Sequence, residues 1–82
     1  MDLISLTEQI VKSLALHKDS VSVKEFPTDE ENEILIQVMI DSEDMGRVIG
    51  KGGKLANAVR TLVQASSYLQ DNKHVRINIE NF

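Results

Sequence analysis

Eighty-two residues with an apolar fraction of 41% make one small domain over residues 1–82 and exclude wholesale disorder. A chain this short buries only about 60–65% of its unfolded surface, so modest stability is expected. The absence of cysteine excludes disulfides and thiolate metal sites, and the net charge of −4 argues at first against a polyanionic partner.

Leu3, Leu6, Ile10, Val11 and Leu14 recur at i, i+3, i+7, i+8 and i+11, which predicts an amphipathic helix over residues 2–16. His17 and Lys18 close it, with Lys18 a cation at the negative end of the helix dipole. Residues 20–26 alternate at Val21 and Val23 and predict a strand. Pro27 ends it because proline cannot donate to a ladder. Thr28 to Glu33 is an acidic turn. Ile34, Ile36, Val38 and Ile40 alternate with Leu35, Gln37 and Met39, and two apolar faces predict a central strand.

Asp41-Ser42-Glu43-Asp44 predicts a helix start capped by Asp41 or Ser42, with Glu43 and Arg47 paired at i, i+4. That helix is short because residues 50–53 interrupt it. Leu55, Ala58, Val59, Leu62, Ala65 and Leu69 then fall at i, i+3, i+4, i+7, i+10 and i+14 and predict a helix over residues 53–69. After a turn at Asp71-Asn72, Val75, Ile77 and Ile79 predict a final strand. The order is α-β-β-α-α-β. A hairpin joins the first two strands, and the two-helix crossover favours a parallel, right-handed return. The expected fold is α+β, a three-stranded mixed sheet with three helices on one face.

No apolar run approaches the ~20 residues of a membrane span, and no basic leader precedes the first helix. The expected setting is the cytoplasm, with no membrane partner.

The charge is unevenly placed. Residues 45–70 carry Arg47, Lys51, Lys54 and Arg60 and no acid, giving +4. The remainder holds five cations against thirteen acids, or −8. An acidic body with one basic segment can bind a polyanion locally. Nothing comparable points to catalysis. His17 and His74 lack companions at metal or nucleophile spacing, and the acidic run 29–33 lacks the alternating ligands and central glycine of a calcium loop. No enzyme and no cofactor are expected.

The chemistry concentrates in Val48-Ile49-Gly50-Lys51-Gly52-Gly53-Lys54-Leu55. Gly46 to Lys51 is one residue short of a nucleotide-binding P-loop, with Gly52 in place of Ser or Thr. Gly50-x-Gly52 lacks the third glycine of a dinucleotide fingerprint and follows a helix instead of a strand. A G-x-x-G turn between two helices fits better. Its glycines expose backbone amides, the following helix N-terminus favours phosphate oxygens, and Lys51 adds charge. Lys54 and Arg60 extend the basic path, and Val48, Ile49 and Leu55 offer an apolar floor for bases. One Tyr, two Phe and no Trp exclude an aromatic platform of the RRM type.

Val48 to Leu55 resembles the V-I-G-x-x-G signature of KH domains, and the element order resembles the type II, bacterial arrangement. Asp44 to Lys51 and Ala58-Val59-Arg60-Thr61-Leu62 look like the small stand-alone bacterial KH proteins of the KhpA (YlqC) family. The resemblance implies an RNA-binding role, with about four nucleotides of single-stranded RNA held and Gly50, Lys51, Gly52 and Gly53 on the backbone. Arg47, Lys54, Val48, Ile49, Leu55 and Arg60 are the neighbouring candidates. A sheet strand near Ile36–Val38 and the loop Asp71–His74 would close the groove. The resemblance further implies a homodimer, a larger KH-containing partner of the Jag family, and a role as RNA chaperone or post-transcriptional regulator linked to cell elongation and division. Gly52 departs from the polar or basic residue common at its position, so weak binding of low specificity is expected. The competing expectation is an adaptor or dimerisation module. Ala56 and Val63, seven residues apart and off the apolar stripe of the third helix, would supply its contact surface.

Overall fold

The computed structural model describes residues 2–82. Helix α1 spans Leu3–Leu14 and starts on Asp2, whose carboxylate accepts the Ser5 N–H at 2.8 Å. It ends near Lys18, whose Nζ donates to the Ala15 carbonyl at 2.8 Å, where a cation suits the helix C-terminus. Strands β1 (Ser22–Phe26) and β2 (Glu33–Ile40) form the expected antiparallel hairpin, with Val23 opposite Val38. Helices α2 (Met45–Ile49) and α3 (Lys54–Gln70) carry the chain back to β3 (His74–Asn81). β3 pairs parallel with β2, Ile36 opposite Ile77. The sheet order is β1-β2-β3, so β2 is central. This is the α+β, α-β-β-α-α-β architecture that the periodicities predict.

One face of β2 buries Ile36, Val38 and Ile40 against the helices, together with Val23, Val75 and Ile77 from its neighbours. From α1 come Leu3, Thr7 and Val11, with Leu6, Ile10 and Leu14 packed at the margin. Thr7 is tolerated there because its hydroxyl donates to the Leu3 carbonyl at 2.7 Å.

The buried face of α3 differs from the expected one. Ala56, Val59, Val63 and Ser67 face the core, while Ala58, Leu62, Ala65 and Leu69 face solvent. Two stripes overlap on this helix, sharing Val59. Small residues on the inner one let α3 lie close to α1 and the sheet, and the leucine-rich outer one is left over. Ala56 and Val63 are therefore core residues and offer no surface to a partner.

Candidate nucleic-acid interface

The loop begins where α2 ends. The Gly50 N–H donates to the Gly46 carbonyl at 3.0 Å and closes the helix. Gly50 then takes φ 76°, ψ 170°, a conformation that only glycine populates readily. Residues 51–53 form a single 3₁₀ turn, closed by the Gly53 N–H on the Gly50 carbonyl at 3.1 Å. Gly52 and Gly53 also have positive φ, 63° and 78°. Three glycines thus turn the chain from α2 into α3 within four residues.

Where α1 opens on Asp2 and the turn at 42–44 opens on Asp41, α3 opens on Gly53 with no side-chain cap and no acid in its first turn. The Lys54 N–H is taken by the Lys51 carbonyl, but no side chain caps the turn that follows, and the helix dipole favours an anion there. Lys51 and Lys54 are exposed beside this turn. Among the described residues they form no ion pair and no side-chain hydrogen bond.

The other cations are partly engaged. Arg47 Nε lies 3.6 Å from an Asp44 carboxylate oxygen, in place of the expected pairing with Glu43, which turns instead to His17 Nε2 at 3.5 Å. The shift follows from the short turn at 42–44, which buries Asp44 and leaves Glu43 facing outward. Arg60 Nε donates to the Ile77 carbonyl at 3.3 Å, and its Nη1 to Asn57 Oδ1 at 3.3 Å. It bridges α3 to the β3 edge with its guanidinium exposed.

The apolar candidates divide. The Val48 side chain is 0% exposed and belongs to the core, so it supports α2 and does not form a contact surface. Ile49 is half-buried. Leu55 is 39% exposed and leans over Gly50. Gly46, a candidate for close helix packing, has nothing within 4 Å of where a Cβ would stand. The strand facing α3 is β3, not the Ile36–Val38 segment, because β2 is enclosed between two neighbours and Ile36 and Val38 are buried. The turn before β3 is tied down: Gln64 Nε2 and Ser67 Oγ donate to the Lys73 carbonyl at 2.9 and 2.7 Å, and Gln64 Oε1 accepts the Val75 N–H at 2.8 Å.

Sequence reasoning missed Asp44. It reads as one acid among several at a helix start, yet it is fully buried and accepts the backbone N–H of Leu16 at 3.0 Å and of His17 at 2.8 Å. Burial alone would raise its pKa. The His17 and Leu16 amides, with the charges of His17 and Arg47, outweigh that and hold it below the usual carboxylate range. Asp44 thereby fixes the start of α2, and so the loop, to the end of α1. His17, Asp41 and Glu43 also gather nearby, with one ligand atom each within 4.8 Å of the others. No sequence spacing announces that cluster. No helix among the described residues is long and apolar enough to cross a membrane.

Residues 5–79 match the family model described as KhpA/KhpB, KH domain. The chain is 40% identical over 74 residues to the RNA-binding protein KhpA of Clostridium acetobutylicum, covering 90% of this chain and 95% of that one. It is 35% identical over 75 residues to the KhpA of Oceanobacillus iheyensis, covering 92% and 96%. Among solved structures it superposes on Aquifex aeolicus Era bound to GDP and aluminium fluoride with a TM-score of 0.70 at 16% identity, covering 98% of this chain and 30% of Era. Era in complex with MgGDPNP and nucleotides 1506–1542 of 16S ribosomal RNA gives a TM-score of 0.66 at 18% identity, covering 96% and 29%. The chain spans under a third of Era, and the likeness to it is one of fold. By sequence, over nine-tenths of its length, this chain belongs to the KhpA/KhpB family of KH domains.

Proposed function

We propose that this protein is a single-domain, non-enzymatic KH protein that clamps the backbone of single-stranded RNA on Gly50, Lys51, Gly52 and Gly53. The carrying observation is the glycine turn feeding an α3 N-terminus without a side-chain cap, flanked by Lys51 and Lys54, which form no ion pair among the described residues. Arg47 and Arg60 extend the basic surface, and Ile49 and Leu55 give bases an apolar edge. The relatives' name, RNA-binding protein KhpA, supports the same reading.

The chain acts as a homodimer. The exposed stripe Ala58, Leu62, Ala65 and Leu69 on α3 favours this, with Leu62 56% and Leu69 88% exposed. Resemblance to the KhpA family supports a cytoplasmic setting, a larger KH partner of the Jag family, and a role as RNA chaperone or post-transcriptional regulator linked to cell elongation and division.

The test is a fluorescence anisotropy titration of labelled single-stranded RNA against the wild type and a Lys51→Asp, Gly52→Asp double variant. The variant is expected to lose binding while keeping its helical circular dichroism. Equal binding by the folded variant overturns the clamp.

A further inference from the structure

A hollow of about 460 Å³ opens between the C-terminal half of α3 and the start of β3, lined by Arg60, Gln64, Tyr68 and His74 among others, and by no carboxylate. Arg60, Gln64 and Tyr68 are four residues apart and stand in a row along α3. The floor is fixed, because Gln64 bridges Lys73 and Val75 and Arg60 holds the Ile77 carbonyl. Tyr68 is 55% exposed, and among the described residues its hydroxyl makes no hydrogen bond. It flanks the apolar stripe of α3 on the β3 side, beside His74.

An exposed ring on a wall that also carries an arginine and an imidazole, with no carboxylate in the lining itself although Asp71 and Glu33 lie just outside it, is the chemistry that holds an unpaired base: a π face to stack on and donors for the backbone. We propose that this hollow is a stacking subsite for one nucleobase of the bound RNA, with Tyr68 against the base and Arg60 and His74 at the adjoining phosphates. This rests on the clamp reading, because the strand arrives from the loop along α3, past Lys54 and Arg60. Between Lys54 and Tyr68 the helix rises about 21 Å, so a dinucleotide held at the loop does not reach the Tyr68 ring. The charge lining, and continuity with the proposed clamp, favour a nucleic acid over a protein as occupant.

Tyr68 is the only tyrosine and the chain has no tryptophan, so intrinsic emission reports this residue directly. The full chain is titrated with oligoadenylates of two to eight nucleotides, with absorption corrected against free tyrosine. The longer oligomers are expected to quench Tyr68 emission and the dinucleotide to leave it unchanged. Tyr68→Ala is expected to weaken binding of the octamer by about 5- to 100-fold in anisotropy, the loss typical of removing a stacking ring. Tyr68→Phe is expected to bind as the wild type. Unchanged emission on octamer binding, with wild-type affinity in Tyr68→Ala, overturns the subsite. The Lys51→Asp, Gly52→Asp variant separates the two readings. If it loses binding and Tyr68→Ala does not, the subsite alone fails; if it binds normally, the clamp fails and the subsite with it. Emission that follows protein concentration and ignores RNA assigns the hollow to a protein contact and overturns the proposal.

Discussion

Leu55 folds back over Gly50 so closely that a Cβ on Gly50 would stand 2.8 Å from the Leu55 Cγ and 3.0 Å from its backbone nitrogen. The first turn of α3 therefore closes over the first residue of the loop. Gly52 is the opposite case: its φ is also positive, but a Cβ there would meet nothing within 4 Å. One glycine is required by contact and conformation together, the other by conformation alone.

Gly50→Ala should cost about 2 kcal/mol or more, because the alanine must occupy a region reserved for glycine and displace Leu55 or the α3 backbone. For a domain of this size that is a fall of roughly 8–16 °C in Tm. Gly52→Asn should cost well under half as much, since asparagine tolerates left-handed backbone and has room. Thermal unfolding followed by circular dichroism checks the order; equal losses would show that the Leu55 contact is not limiting.

Asp44 makes stability fall in acid. Its folded pKa is depressed, so its contribution is fully present above the ordinary carboxylate pKa near 4 and is lost as pH drops through the folded value. Asp2 shifts in the same direction through the Ser5 N–H and hydroxyl hydrogen bonds. Asp44→Ala should lower Tm at pH 7 more than Asp41→Ala, since it strands the Leu16 and His17 amides while Asp41 caps a single exposed N–H. It should also flatten the acid limb of the Tm–pH curve. A parallel curve for Asp44→Ala and wild type would remove Asp44 as the source.

Element order and strand pairing were legible because β2 carries apolar residues on both faces and a two-helix crossover must return parallel. The loop was legible because three glycines in four residues have few structural uses inside a helical pattern. The face of α3 was not. Val59 sits on both candidate stripes, and counting leucines favours the outer one, whereas packing selects the small residues Ala56 and Ser67. Asp44 was hidden for a different reason: its partners Leu16 and His17 are 28 and 27 positions away in sequence, and acceptance of backbone amides leaves no residue-type signature. Arg60, Gln64 and Tyr68 do carry a signal, a four-residue repeat on one helix face, but only the position of β3 gives it a floor.

Salt dependence measures how many cations meet phosphate. If Lys51, Lys54 and Arg60 each neutralise one, log affinity for single-stranded RNA should fall against log salt with a slope of about −2. Lys54→Ala should make that slope shallower by roughly 0.7 and weaken binding similarly across RNA sequences. Lys24→Ala, a control at an exposed cation on β1, should leave it unchanged. Anisotropy titrations at several salt concentrations supply the slopes. A wild-type slope near zero would mean that backbone charge is not what the loop holds.

The apolar stripe of α3 predicts the assembly. Leu62 lies mid-helix, 56% exposed, between Ala58 and Ala65, where small neighbours let a second helix approach closely. Leu62→Glu places a charge at the centre of any α3–α3 contact but leaves the core side of the helix, Ala56, Val59, Val63 and Ser67, untouched. Its effect on the folded chain itself should stay within about 0.5 kcal/mol. Light scattering at micromolar concentration should give the mass of two chains for the wild type and one for Leu62→Glu. Val63→Ala, on the buried face of the same helix, should lower Tm by destabilising the core without changing the mass. A wild type that scatters as one chain at every concentration would leave the stripe without a twin and remove the dimer, while the loop and its cations could still be tested on the monomer.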